Sequence, residues 1–273
     1  MPNNLVYIIM DSCRYDSYSA AATPNMDLIG KGERRYSFAS WTSPSHYVLL
    51  MGMSPHTSPS GVFASEVYKE DFVKWRHRLG VEDLDFKSFV PELSLPCKLK
   101  KLGYKTVGKV SLPVLNKFTT ISAHFDEYKL MDNHNDFAGM VNEMTFDPAR
   151  PSFYFLNLGE THYPYMLTKE QIPVLHGVHG VFKHMDDSGD EKVEFFDSEK
   201  MAFLKNRQVQ CVEYIDGILG ALYKKCPPDT HFIITADHGE LFGEGGYFGH
   251  GPIFHEKVFE VPFLEGRLPG APS

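Results

Sequence analysis

The chain has 273 residues, 42% of them hydrophobic and 23% charged, so a sizeable core and a single α/β domain are both within reach. A formal charge of −8 argues against a general nucleic-acid or anionic-membrane binder, but not against a small anionic substrate whose local field a metal would set. Cys13, Cys97, Cys211 and Cys226 show no CxxC spacing and read as free thiols. With no leader-like segment and no run near the ~20 apolar residues of a membrane span, a cytoplasmic setting is expected.

The first apolar run, Leu5–Met10, ends at Asp11 and reads as a buried strand emptying into a loop. Arg14 lies in that loop. It is equally readable as an ion-paired surface arginine or as a group for an anionic substrate. Thr23-Pro24 suggests an N-cap followed by proline at the first helical position, with a short helix from Pro24 to about Ile29 closed by Gly30 and Gly32.

In WTSPSHYVLLMG, Ser45 is expected to cap or start a helix running from about His46 to Met51. Thr42, Ser43, Ser45 and His46 then surround its N-terminus, where free N–H groups and the helix dipole favour an anion. From the spacing alone, a plain Ser/Thr cap is the better reading. The stretch 54–85 is mixed and carries few signals. Pro91–Leu102 is expected to be helical and closed by Gly103. Tyr104–Val110 follows as a strand with Lys109 near its end. Ser152–Leu158 is a further apolar run, leading into Glu160, Thr161 and His162.

The acid-rich stretch Lys183–Glu199 reads as a solvated loop, since the spacing of a calcium loop is absent. Asp197 or Ser198 should then cap the longest helix, reaching about Lys224 and stopped by Pro227-Pro228. Val212, Ile215, Leu219 and Leu222 keep helical spacing on its buried face. It delivers the chain to HFIITADHGE, a β-branched run ending in Asp237-His238. A carboxylate and an imidazole side by side suit Zn, Mn or another divalent ion. With Asp11 they would bring two carboxylates together, and a cation would relieve the repulsion. His250, between two glycines, and a last strand at Val258–Leu264 complete the chain. Strands alternate with helices, so one α/β domain with a mainly parallel sheet and helices on both faces is expected.

In their order, the pieces LVYIIMDSCR, TPNMDLIGKG, WTSPSHYVLLMG, LGYKTVGK, HFDEY, HYPY, IDGILGALYKK, TADHGE, GHG and VPFL resemble the sulfatase-like branch of the alkaline phosphatase superfamily. The resemblance covers most of the chain. It implies an alkaline phosphatase-like fold over residues 1–273, without the smaller C-terminal subdomain of larger members. It further implies metal ligands at Asp11, Asp237 and His238, and a nucleophile at Thr42 that also touches the metal. Lys109, His162 and His250 match positions that contact the transferred group or help hold a second metal, and His46 stands where sulfatases carry arginine. The sulfatase pattern C/S-x-P/A-x-R is replaced by Thr42-Ser43-Pro44-Ser45-His46. Threonine cannot yield formylglycine, so the threonine-nucleophile phosphodiesterases and phosphoglycerol or phosphoethanolamine transferases are the better match. Ser12 replaces a second aspartate, and in the central region, where two-metal members carry a further Asp and His about four residues apart, only Glu160 and His162 stand.

The reading is therefore a metal-dependent phosphate-ester hydrolase or transferase working through a phospho-threonine. Zn or Mn is the expected ion, with Ca or Mg as alternatives. The substrate is a small anionic ester, with Thr42, His162 and Lys109 in catalytic roles and Arg14, Ser45, His46 and His250 binding it. A partner subunit, as in a homo-oligomer, could complete the pocket. The rivals are a sulfatase, phosphonate hydrolase or mutase on the same scaffold, and a catalytically degenerate binding protein.

Overall fold

The computed structural model describes residues 3–52, 77, 80, 91–165, 167, 182–183, 197–251 and 253–268. Among them, the strands are β1 (Leu5–Met10), β2 (Glu33–Tyr36), β3 (Lys105–Val110), β4 (Glu127–Leu130), β5 (Ser152–Leu158), β6 (Phe182–Lys183), β7 (His231–Thr235), β8 (Leu241–Phe242), β9 (Tyr247–Gly249) and β10 (Glu260–Arg267). Seven form the main sheet in the order β2-β10-β7-β1-β5-β3-β4, and β6-β9-β8 make a small second sheet. β1 runs parallel to both β5 and β7, and β3 runs parallel to β5 and β4. Only β10 and β2 are antiparallel additions at one edge.

Period-two alternation divides the core between two faces. Val6, Ile8 and Met10 of β1 join Tyr154, Leu156 and Leu158 of β5 and Phe232 and Ile234 of β7 on one side. Tyr7, Ile9, Phe153 and Phe155 pack on the other. The first face is covered by the longest helix, Ser198–Lys225, which sends Val212, Ile215, Leu219 and Leu222 fully out of solvent. Full burial of each such side chain stabilises by about 1.5–3 kcal/mol. The Asp197 carboxylate accepts from the Glu199 N–H at its start, and Lys224 and Lys225 sit in its last turn, the charge order that the helix dipole favours. The second face is covered by the helices Thr42–Met51 and Leu95–Lys101.

The central runs fold where the apolar pattern places them, and β1 and β5 keep the expected bounds. Elsewhere the boundaries move. The 42–51 helix begins at Thr42 rather than near His46, because Pro44 fits a first turn, where its missing N–H costs nothing. Residues from Pro24 form only a single 3-10 turn, Met26–Leu28. Asp216 of the long helix takes up the N–H groups of Asn25 and Met26 at 2.8–3.1 Å, and with them the local need for more helix. Pro91–Leu102 divides into a 3-10 turn and a helix capped by Ser94. The last strand is Glu260–Arg267, entered through a short helix at Glu256–Phe259. The expected mixed stretch, 54–85, lies outside the described residues apart from 77 and 80, and so does 184–196 of the acid-rich stretch.

Parallel pairing sets the C-terminal ends of β1, β5 and β7 side by side, with Met10 opposite Leu158 and Ile9 opposite Thr235. In an open α/β sheet this is where ligands bind. The turn after β7 is tight: a Cβ at Gly239 would lie 2.1 Å from the Lys257 carbonyl oxygen, while its N–H donates to Val258 at 2.7 Å. Gly239→Ala should therefore destabilise the fold by about 1–3 kcal/mol. Urea unfolding checks this, and an unchanged midpoint would contradict it.

Candidate active site

Three loops meet above these strand ends. Ser12, after β1, adopts φ +62, left-handed for a non-glycine residue and a local strain that the surroundings must hold. They do so through its N–H, which donates to Asp237 Oδ1 at 3.1 Å. Gln208 of the long helix donates to the carbonyls of Ser12 and Thr161 at 2.9 and 3.0 Å and accepts from the Arg14 N–H. Thr161 Oγ1 donates to the Asp11 carbonyl at 2.7 Å. One buried side chain thus laces the β1 and β5 loops together.

Asp11, Asp237 and His238 are all buried, with one ligand atom from each within 4.8 Å of the others. His238 Nδ1 lies 2.8 Å from the Gly239 carbonyl. A carbonyl only accepts, so Nδ1 carries the proton and Nε2 presents a lone pair. That lone pair lies 3.3 Å from Asp237 Oδ2 and 4.0 Å from Asp11 Oδ1. The three acceptors face one another; the Ser12 hydroxyl and the Asn157 amide donate to Asp11, but Asp237 Oδ2 makes no hydrogen bond. Burial and the neighbouring Asp11 charge push the Asp237 carboxyl well above the usual range. Burial also opposes the charge on Asp11, but the nearby His162 and the Asn157 amide hold its carboxyl below that range. Burial drives the His238 pKa well down, so the ring is neutral. Two oxygens and one imidazole nitrogen, all aimed at one buried point, fit a divalent cation such as zinc or manganese.

Thr42 Oγ1 lies 3.4 Å from His238 Nε2, at the lip of this cluster. Thr42 is the first residue of its helix, and the N-cap residue Trp41 provides no side-chain cap. The N–H groups of Thr42 and Ser43 have no acceptor among the described residues, as is usual for the first turn of a helix, where such groups favour an anion. His46, one turn on, donates from Nδ1 to the Thr42 carbonyl at 2.8 Å and stands 3.5 Å from Asp237 Oδ2. Burial lowers its pKa. Ser45 is buried with its hydroxyl unbonded.

Sequence reasoning missed Asn157. Its Oδ1 accepts the N–H groups of Ser111 and Leu112, each at 3.3 Å. The two amide hydrogens then serve Asp11 Oδ2 at 2.8 Å and His46 Nε2 at 3.2 Å. It connects a metal-ligand candidate to the helix of Thr42. The available signal was a single amide near the end of an otherwise apolar strand, SFYFLNL. Glu240 was also passed over, although it is 1% exposed.

His162 and His250 complete the rim. Their rings meet edge-on with centroids 5.2 Å apart, and His250 lies 4.3 Å from the His238 ring. His162 Nδ1 donates to the Tyr163 carbonyl at 2.7 Å. Arg14 and Lys109 are committed elsewhere. The Arg14 guanidinium is shared between Asp16 at 2.7 Å and Glu244 at 2.6 Å. The Lys109 ammonium pairs with Glu143. Glu160 places one oxygen on the Phe137 N–H at 2.7 Å and leaves the other unbonded, and burial raises its pKa to about 7. It does not join a three-ligand group with His162 among the described residues.

A sulfatase family model matches residues 3–265. The chain belongs to the sulfatase family. No curated protein matches it significantly. Solved structures share its fold. The C-terminal periplasmic domain of EptC from Escherichia coli, a complex with Zn, is 16% identical over 97% of this chain and 73% of that one, with a TM-score of 0.60. The corresponding domain of the phosphoethanolamine transferase EptC from Campylobacter jejuni is 14% identical over 98% and 80%, with a TM-score of 0.61. A protein in complex with its substrate D-glucosamine-2-N,6-O-disulfate is 12% identical over 98% and 72%, with a TM-score of 0.58. The cytoplasmic expectation is corrected here. It rested only on signals not found in the sequence, whereas both EptC neighbours are periplasmic domains. Among the described residues no helix is long and apolar enough to cross a membrane.

The acceptor cluster has a measurable signature. With Asp237 raised, the metal-free folded chain keeps a proton that the unfolded chain releases. This contribution to stability is complete below the ordinary carboxylate range and fades as pH climbs through it towards the raised value. The neutral isostere in Asp237→Asn keeps the Oδ1 acceptor and removes the conflict. In chelator at pH 7.5 its Tm should equal or exceed the parent's, and added Zn²⁺ should raise the parent's Tm but not the variant's. Thermal unfolding with and without zinc checks both. A variant clearly less stable than the parent in chelator would contradict the reading.

Proposed function

We propose that this chain transfers or hydrolyses phosphate esters through a covalent phospho-threonine at Thr42, in the manner of a phosphodiesterase or phosphoethanolamine-type transferase. The observation that carries the reading is the Thr42 hydroxyl, set at an uncapped helix N-terminus and 3.4 Å from His238 Nε2. Asp11, Asp237, His238 and Thr42 Oγ1 would hold the divalent ion, zinc or manganese. When bound, such an ion lowers the pKa of the Thr42 hydroxyl and polarises a phosphoryl oxygen.

The chain's own residues supply the rest. Helix N–H groups at Thr42 and Ser43 receive charge developing on the phosphoryl oxygens. Thr42 Oγ1 gives its proton to solvent and bonds to phosphorus as the bond to the leaving oxygen breaks, and His162 or His250 delivers a proton to that oxygen. Water or an acceptor alcohol then cleaves the threonyl ester. His46 holds the start of the nucleophile's helix through the Thr42 carbonyl and, with Asn157, ties it to Asp11. Arg14 and Lys109 would have to leave their carboxylate partners to reach substrate, so the rim histidines carry the phosphoryl contacts in this account.

The threonine favours phosphate over sulfate, because sulfatase chemistry on this scaffold needs an aldehyde that threonine cannot provide. Phosphonate hydrolysis uses the same groups and is the second reading. With zinc or manganese supplied, phosphate diesters should turn over faster than sulfate esters in a panel of p-nitrophenyl substrates. Thr42→Ala should lose about 10³-fold or more in kcat, while Thr42→Ser keeps measurable turnover. A Thr42→Ala variant within tenfold of the parent would remove the covalent role.

A further inference from the structure

Glu240 follows the metal-ligand candidates by two residues, yet it binds none of them. Its two oxygens are both engaged. Oε2 accepts the hydroxyl of Tyr165, and Oε1 lies 2.9 Å from His250 Nδ1. Tyr165 is fully buried among Met201, Leu204, Cys211, Phe242 and Phe248. Its backbone stands at φ +56, a cost for an aromatic residue that only firm surroundings sustain. Its one polar side-chain atom, inside an apolar cluster, is aimed at the carboxylate. Glu240 is thus held from behind, and its second oxygen has a fixed place.

That oxygen decides the proton arrangement of His250. A carboxylate already receiving a hydroxyl accepts a second donor, so His250 carries its proton on Nδ1. The Ser12 hydroxyl, 3.4 Å from Nδ1, has an outlet of its own at Asp11 Oδ1, 3.3 Å away. His250 Nε2 makes no hydrogen bond to any described residue, and the ring stacks 4.3 Å from His238. Flanking glycines at φ +89 and +152 leave the imidazole to be oriented by this contact rather than by a regular element.

We propose that Glu240, anchored by Tyr165, is a positioning residue that fixes His250 in the Nδ1–H form and leaves Nε2 free at the rim as the group that exchanges a proton with the substrate's leaving or attacking oxygen. In transfer, the Nε2 proton of the imidazolium goes to the departing oxygen. In release, Nε2 takes the proton of the attacking water or alcohol, and no other co-reactant is needed. The role assigned to His250 rests on the phosphate-ester reading above, whereas the Glu240–His250 proton arrangement does not.

The test has two arms on the zinc-loaded full chain. Long-range ¹H–¹⁵N correlation of ¹⁵N-histidine protein reads the His250 ring directly. The neutral parent should show Nδ1–H, and Glu240→Ala should show a mixture of tautomers. Turnover of bis(p-nitrophenyl) phosphate should fall about 10- to 100-fold in kcat in Glu240→Ala, with KM and zinc content little changed. Glu240→Gln, which keeps an acceptor for Nδ1–H, should recover most of the loss. Tyr165→Phe, which leaves no buried hydroxyl unpaired, should give a smaller loss in the same direction and serves if Glu240→Ala does not fold. An Nε2–H ring in the parent, or an Nδ1–H ring in both folded variants with unchanged kcat, would overturn the proposal. If the parent turns over no phosphate ester, the reaction reading fails and the spectrum alone decides the role of Glu240.

Discussion

Three acceptors buried against one another at the ends of β1 and β7 place the strongest physical demand on this structure. Water is excluded from Asp11, Asp237 and His238, the Gly239 carbonyl removes the donor that His238 might have turned inward, and Asp237 Oδ2 has no hydrogen bond. Buried polar groups are rarely left so, and two buried carboxylates in contact cannot both be charged without a counter-ion. The metal-free chain answers by keeping a proton on the pair. A divalent cation answers better, because it satisfies all three groups at once and leaves room for the Thr42 hydroxyl.

The architecture serves this point. Parallel pairing of β1 with β5 and β7 brings Asp11 and the Asp237-His238 pair, more than two hundred residues apart, to one line of strand ends. Asn157 and Gln208 then convert that line into a rigid site. Asn157 holds Asp11 and His46 with the two hydrogens of one amide, and Gln208 holds the carbonyls of the two loops. The helix of Thr42 is fastened to the same network through His46, so the Thr42 hydroxyl and the acceptor cluster cannot drift apart independently. Around this rigid centre sit groups with free lone pairs, His162 and His250, which suits them to proton exchange.

Much of this was legible in the residues. Continuous apolar runs ending at Asp11 and before Asp237 marked the strands, because a buried parallel strand must be apolar throughout, and pointed to the loops where the candidate ligands gather. The long helix showed itself through Val212, Ile215, Leu219 and Leu222. What escaped has physical reasons. β2 reads ERRY and is exposed along its whole length, so no alternation betrays it. The helices Tyr15–Ala20 and Phe137–Glu143 are too short for a periodic signal. The start of the Thr42 helix was misplaced because Ser45 is as good a cap as any neighbour, and only packing chose the earlier turn. Asn157 and Glu240 gain their meaning from partners far away in sequence. Their roles depend on register and on the path of the loops, which local pattern does not contain. The cellular setting was misread because signals not found in a sequence are weak ground beside neighbours that are periplasmic domains.

Metal content tests the central claim most directly. The account predicts that protein purified without added metal, or dialysed against zinc or manganese and then freed of excess, holds about one equivalent per chain by elemental analysis, and that Asp237→Ala loses it. A folded parent chain that retains no divalent ion under either condition, with no rise in Tm on adding zinc, manganese, magnesium or calcium, would contradict it. The buried acceptor cluster would then belong to a scaffold that binds without catalysing.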